Sequence, residues 1–301
     1  MDQVRSSTAR VLAEAVHVAV SVPALEKLAS VLRVQRPTPL PWRSCSFHYT
    51  GPSILDYIFA IDTVNFCFWP NPGLEYDTLA GSLKAVLEAD STALSPQRLA
   101  SISEDEVAQQ FFAGRRVDLL DERTRLLREV GTNTLSLYGD YETLIRAADH
   151  SAVKLVNLVT AAFPGFRDHT IYKGRQVFFY KRAQILVGDL WGAFEAQQLG
   201  DFPDISSLTM FPDYRVPQIL RHHQVLVYSS DLAAKVDAGA ELPAGGPEEV
   251  EIRAATVQAC DLLRVSLGLG TAVETDWLLW QVGEEAKDAV SPHHRTLSIY
   301  Y

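Results

Sequence analysis

A mostly helical fold, about a dozen helices with one small β-hairpin, is what the sequence predicts, on three observations. Apolar residues recur at three- and four-residue spacing through most of the chain. Proline and glycine clusters interrupt that pattern at short intervals, at residues 37–41, 70–73, 164–165 and 245–247. Only residues 170–179 carry a convincing strand signal. No period of 20–50 residues recurs, which argues against a solenoid. With 301 residues and 47% hydrophobic composition, the chain can bury a large core. The expectation is one compact helical domain over residues 1–301, or two intimately packed helical lobes.

In order, residues 4–20 and 22–34 predict two helices, the second with Leu25, Leu28 and Leu32 on one stripe. Pro37, Pro39 and Pro41 then impose an extended segment. It leads through Trp42 and Cys45 to Phe47 and His48. Gly51-Pro52 starts a helix over 52–60. Residues 76–88 form another, capped by Asp77 or Thr78, with Leu79, Leu83, Val86 and Leu87 inward. Ser103 and Glu106 have the spacing of a capping box before residues 107–112. Residues 118–130 are amphipathic, with Asp121 and Arg125 spaced for a surface pair. Helices over 141–148 and 152–163 end at Pro164-Gly165. The hairpin turns on Lys173-Gly174, and a helix over 180–197 follows. A helix over 214–228 begins with Asp213 as N-cap and Pro217 in its first turn, where a missing amide costs nothing. Residues 230–236 and 248–267 are helical. Thr275 or Asp276 caps a last helix carrying Trp277 and Trp280. An apolar, aromatic terminus ending at Tyr301 is expected to dock rather than fray.

The net charge of −10 argues against a stable complex with nucleic acid, whose affinity comes largely from phosphate neutralisation. Cys45, Cys67 and Cys260 are odd in number, widely spaced and set among apolar residues, so they read as small buried hydrophobes. No nucleotide-cradling or metal-ligating motif has supporting context. No cofactor and no metal are therefore expected. There is no run of about 18 apolar residues and no leader-like start, so the expectation is a cytoplasmic protein without a membrane span.

Three stretches carry candidate chemistry. Residues 62–69 set Asp62 and Asn65 beside Phe66, Phe68 and Trp69. That is a core helix end or the wall of a pocket for a flat base, whose edge an amide can read. In the helix after the hairpin, Lys181, Gly188, Asp189 and Gly192 share one face. Each glycine costs roughly 1 kcal/mol against alanine. Close packing or a ligand near the backbone would offset that, and the charged neighbours favour the ligand. Residues 210–220 hold Asp213 and Arg215 between Pro212 and Pro217, where Asp213 is a simple cap or a reacting carboxylate.

Taken together, residues 62–69, 76–80, 180–186 and 211–218, with the His-His-Arg-Thr and Tyr-Tyr pattern at the end, resemble the queuosine salvage protein family. The resemblance covers residues 47–301. Pro212 departs from the family pattern, in which some relatives carry alanine. The resemblance implies an all-α fold similar to helix-hairpin-helix DNA glycosylases. It implies hydrolysis of the N-glycosidic bond of queuosine 5′-monophosphate, a small-molecule partner, without cofactor or metal. It also implies a Lys and an Asp as catalytic pair, which fall on Lys181 and Asp213.

The chemistry suits those residues. Cleavage builds positive charge on the sugar, which a fixed carboxylate stabilises or attacks. Capping amides favour an ionised Asp213, so stabilisation or nucleophilic attack comes before water activation. Queuine is a 7-deazaguanine and lacks the N7 at which purines are protonated, so Lys181 is the cation for the departing base, unless it binds phosphate or pairs with Asp189. The base would sit against Asn65, Phe66, Phe68 and Trp69, and the amino group of its cyclopentene arm against Asp62 and Asp189. The 5′-phosphate would meet Arg215, His48, His293, His294 or Arg295. A monomer is expected. Two rivals remain: a nucleic-acid base glycosylase, and a non-catalytic helical nucleoside-binding protein.

Overall fold

Short polar side chains set five of the helix starts, because the first amides of a helix have no partner within it. Ser103, Asp140, Ser151, Ser229 and Thr271 each accept a backbone amide in the following turn. The computed structural model describes residues 1–35, 41–287 and 289–301. Pro37 and Pro39 of the expected extended segment lie outside the described residues.

The described residues form fourteen α-helices and two two-stranded antiparallel sheets. They run α1 (Asp2–Glu14), β1 (Val18–Val20), α2 (Val22–Gln35), α3 (Ile54–Val64), α4 (Tyr76–Ala89), α5 (Pro96–Leu99), α6 (Glu104–Phe112) and α7 (Leu120–Leu137). Then come α8 (Tyr141–Arg146), α9 (Ala152–Ala162), β2 (His169–Tyr172), β3 (Arg175–Phe178) and α10 (Lys181–Ala193). The last are α11 (Arg215–His222), β4 (Leu226–Tyr228), α12 (Ser230–Asp237), α13 (Pro247–Leu267) and α14 (Ala272–Ala286). The mostly helical expectation holds. So do the hairpin, β2 with β3, the capping box at Ser103 and Glu106, and the buried Tyr301. No helix among the described residues is long and apolar enough to cross a membrane.

The second sheet was not expected. Residues 18–20 and 226–228, both read as helix, pair as β1 and β4 with Ala19 opposite Val227. The cause lies in α13. Glu251 is buried there, and one of its carboxylate oxygens accepts the amides of Val16, His17 and Val18 at 3.0, 2.6 and 3.1 Å. Three donors aimed at one oxygen end α1 and hold the chain extended.

Other boundaries also move. Glu75, not Asp77 or Thr78, caps α4, with Thr78 as its reciprocal partner. α14 starts one turn early, behind Thr271, which leaves Thr275 and Asp276 inside the helix. Arg125 pairs with Glu122 and Glu129 rather than Asp121. α10 ends at Ala193, and Glu195, Ala196 and Gln198 take left-handed backbone conformations beyond it.

One buried apolar cluster runs from Met1 to Tyr301. α10 packs on α3 and α9 at its centre, while α13 lies against α1, α2 and α14. Two buried arginines support the place where α3 stops. Arg123 donates to the carbonyls of Val64, Phe66 and Cys67 at 2.7, 2.8 and 2.9 Å. Arg182 donates to the Thr63 carbonyl at 2.6 Å and also to that of Gly165. Carbonyls at a helix end have no partner in the helix, and these guanidinia supply it. Cys67, at φ 49°, then turns the chain, and its amide donates to the Tyr301 carbonyl at 2.9 Å. The irregular segment after α3 is thus fixed from below before it reaches a cavity.

Candidate active site

That cavity, of about 190 Å³, is bounded by the segments around residues 42–48 and 65–76, by α10, by the loop leading into α11, and by α14. Tyr180, in a left-handed conformation at φ 53°, turns the chain into α10 and sets Lys181 in its first turn. The Lys181 Nζ donates to the Asn65 carbonyl at 2.9 Å and to its Oδ1 at 3.3 Å. The Asn65 amide in turn donates to Asp62 at 3.4 Å. Two turns along α10, Asp189 faces the same space. Asp213, from the loop leading into α11, and Asp276, from α14, complete this acidic lining.

Burial dominates the charges of this group. It pushes the Lys181 ammonium below the ordinary lysine range, against the opposing charges of Asp213 and Asp62. It pushes the Asp213 carboxyl above the ordinary carboxylate range, against Lys181 and the amides of Val216 and Arg215. This corrects the expectation that capping alone would keep Asp213 readily ionised. The capping amides are present, from Arg215 and Val216 at 3.0 Å each. Loss of solvation outweighs them. Tyr214 holds the formal N-cap position, and Asp213 reaches the two amides from one residue further out.

Asp62 and Asp189 are also raised by burial, Asp189 to about 7. In both, Oδ2 is buried and meets no donor within hydrogen-bonding geometry. The Trp42 indole N–H opposes the rise at Asp189 without reaching such geometry. Asp276 is held through Oδ1 by the Phe211 amide at 2.9 Å, and burial and Asp213 raise it well above the usual range. Four carboxyls share the neighbourhood of one ammonium, so a proton or a bound cation is favoured there.

Of the residues singled out from the sequence, the cavity brings together His48, Asn65, Phe68, Lys181, Asp189, Asp213 and Arg215. The others sit outside its lining. Asp62 is fully buried behind Asn65. Phe66 lies under the Arg123 guanidinium at 4.3 Å, and Trp69 donates its indole N–H to Thr296 at 3.1 Å. His293 stacks on Tyr214 at 4.4 Å, His294 is buried against the Tyr301 hydroxyl, and Arg295 lies over Trp69. Burial lowers His48 and His293 to about 4 and His294 to about 3, so all three are neutral near pH 7. In His48 the Nδ1–H donates to the Trp42 carbonyl at 2.7 Å, which leaves Nε2 to accept from the Tyr76 hydroxyl at 3.0 Å. Arg215 donates to Glu284 and to Gln218, both at 2.6 Å.

The glycines of α10 prove to be packing devices. A Cβ at Gly188 would stand 2.8 Å from the Phe211 ring, and one at Gly192 2.9 Å from both Trp277 and Trp42. The aromatic walls of the cavity, not a ligand, occupy the space those glycines leave. This overturns the preference for a ligand approaching the backbone.

Sequence reasoning missed much of that wall: Trp42, Phe47, Tyr76, Phe211, Tyr214, Trp277, Trp280 and Tyr301 line it. It also missed Asp276, which was read as a cap. The available signal was an acid beside Trp277 and close to Trp280 on the same helix. At the mouth, Glu75 and Glu284 pair with Arg215 and with Lys287. Flat, polar and partly cationic ligands suit such a slot: aromatic faces stack, buried carboxyls meet positive charge, and one ammonium answers a developing anion.

The chain as a whole is similar to known proteins. Residues 46–301 match the model of the family described as "Queuosine salvage protein". A Dictyostelium discoideum protein is 44% identical over 86% of this chain and 85% of its own length. One from Sphaerobacter thermophilus is 42% identical over 99% and 97%, and one from Mus musculus 33% identical over 86% of each. All three are named queuosine 5′-phosphate N-glycosylase/hydrolase. With the family match spanning residues 46–301, which hold all of the cavity lining except Trp42 and Cys45, this chain belongs to the queuosine salvage protein family.

Proposed function

We propose that this protein hydrolyses the N-glycosidic bond of queuosine 5′-monophosphate and releases queuine for reuse in tRNA modification. The observation that carries the reading is the buried Lys181 and the half-buried Asp213, opening together on one aromatic cavity. The names of the relatives supply the substrate. In this reading the base stacks among the aromatic walls, with Phe68 and Asn65 at one side. Asp189, on the cavity lining with an unpartnered carboxylate oxygen, provides for the cationic arm, while Asp62 stands behind Asn65 and accepts its amide. Arg215 is the candidate cation on the cavity lining for the 5′-phosphate, which would displace Glu284 from it.

As the C1′–N bond breaks, its electron pair leaves with the base and positive charge gathers on the ribose. Asp213 stabilises that charge or bonds to C1′, and water then supplies the oxygen that remains on the sugar. Lys181 meets the charge on the departing 7-deazaguanine and can deliver a proton to it. The raised carboxyl of Asp213 also makes it a better base than capping alone implied, so water activation stays within its reach. The products are queuine and ribose 5-phosphate. A cytoplasmic monomer goes with this reading, and the net charge of −10 supports the absence of a stable nucleic-acid complex.

Incubation with queuosine, its 5′-monophosphate, guanosine monophosphate, tRNA and duplex DNA tests the reading. Free queuine is expected from the monophosphate, with no base released from either nucleic acid. Base release from a nucleic acid alone would move the protein to the nucleic-acid glycosylases. Ligand binding without any release would make it a binding protein.

The pH dependence has a definite sign. Turnover needs Asp213 ionised and Lys181 protonated. Burial raises the first and lowers the second. The bell of kcat/KM against pH should therefore be narrower than the span between ordinary carboxylate and lysine values, about 3.9 to 10.4. Initial rates from pH 4 to 10 check this, and a profile flat across that range would contradict the assignment.

A further inference from the structure

The two proposed catalytic side chains come from separate segments, and a single buried ion pair touches the backbone of both. Asp168 precedes β2, and its Oδ2 accepts the Lys181 backbone amide at 3.0 Å. Its backbone carbonyl accepts the amides of Phe179 and Tyr180 at 3.0 and 3.1 Å, which holds the left-handed turn that starts α10. The Asp168 carboxylate is bidentate to Arg253 of α13, at 3.0 and 2.6 Å. The third donor of Arg253, Nε, reaches the Pro212 carbonyl at 3.1 Å, one residue before Asp213. The guanidinium lies between the rings of Phe179 at 4.0 Å and Tyr301 at 4.2 Å, and Tyr301 lines the cavity. Both members of the pair are 3% exposed or less.

A buried ion pair is seldom retained for stability alone, since desolvation offsets most of its attraction. Here its geometry addresses the distance between two reacting groups. We propose that Arg253 and Asp168 are positioning residues that set Lys181 and Asp213 against one another across the cavity. This rests on the catalytic reading of that pair given above. The planar fork matters: two donors grip the carboxylate that holds α10, while the third grips the loop carrying Asp213. A lysine at 253 keeps the charge but has a single point of attachment.

The test compares Arg253→Lys and Asp168→Asn with Glu251→Gln, which loosens the buried contacts between α13 and β1 far from the cavity. Rates are taken well below each variant's Tm. Arg253→Lys is expected to lower kcat by roughly 10- to 100-fold with KM changed less than about threefold, because small misplacements of reacting groups cost rates of that order. Asp168→Asn should act in the same direction, and Glu251→Gln should retain kcat within about twofold despite its own loss of stability. A substrate-free measurement accompanies these: the pH titration of the Lys181 13Cε signal, identified by its loss in Lys181→Met. Withdrawing Asp213 removes negative charge from Lys181, so the titration midpoint should fall in both clamp variants and stay in Glu251→Gln.

The proposal is overturned if folded Arg253→Lys and Asp168→Asn keep wild-type kcat and Lys181 titration. It is overturned equally if Glu251→Gln loses as much kcat at a matched loss of Tm, or if neither clamp variant folds, since the pair is then structural. Failure of the wild-type protein to release queuine would instead remove the catalytic reading, and the Lys181 titration would still decide whether the clamp sets its surroundings.

Discussion

Asp213→Asn is expected to lower kcat by roughly 10³-fold, about 4 kcal/mol of transition-state stabilisation, while queuine still binds within a few-fold of wild type. The asparagine oxygen can go on accepting the amides of Arg215 and Val216, so the start of α11 persists. What disappears is the negative charge facing the ribose. Stability should not fall with activity. Burial raises the folded-state pKa of Asp213 above its unfolded value. Its ionisation therefore opposes folding, a cost that sets in as pH rises above the unfolded value and is fully present above the folded one. A neutral asparagine never incurs that cost. Queuine release and thermal unfolding measured on one preparation check both halves. Turnover within tenfold of wild type would exclude Asp213 as the central carboxylate.

Lys181→Met carries the next largest expected effect, a loss of roughly 10²- to 10³-fold in kcat. Methionine fills nearly the same volume but cannot meet charge on the departing 7-deazaguanine. Lys181 is also the main charge that lowers the Asp213 pKa. Without it, Asp213 rises further and more of it is protonated near neutrality. The residual activity of the variant should therefore increase with pH over a range where wild type is level, a sign that simple loss of packing would not produce. Full turnover in Lys181→Met would remove its catalytic role. An acid limb in the wild-type position would show that Lys181 does not set the charge of Asp213.

The order of helices was legible because its signals are local. Ser103 and Glu106 lie three residues apart, and a capping box needs nothing else. The hairpin needed only Lys173-Gly174 and its flanking residues. Boundaries failed where a distant group intervened. Glu251 pulls residues 16–18 out of helix from more than 230 positions away, and no window along the chain contains both ends of that contact. α10 and α11 also end earlier than periodicity predicted, at Ala193 and His222, and left-handed residues follow each of them.

For the site, residue types and their spacing were enough to indicate the family, to offer Lys181 and Asp213 as the candidate reacting pair through that resemblance, and to show an aromatic, acidic character. Those properties reside in residue types and short spacings. Which candidates share a cavity depended on how distant segments pack. That packing brought Trp42, Asp276 and Tyr301 to the lining and set Phe66, Trp69 and His294 behind it. It also reversed the expected charge behaviour of Asp213. The cap could be read from adjacent residues, but solvation depends on what every other segment places around a carboxyl. Around Asp213 the surrounding segments exclude enough water to outweigh two amides and a lysine.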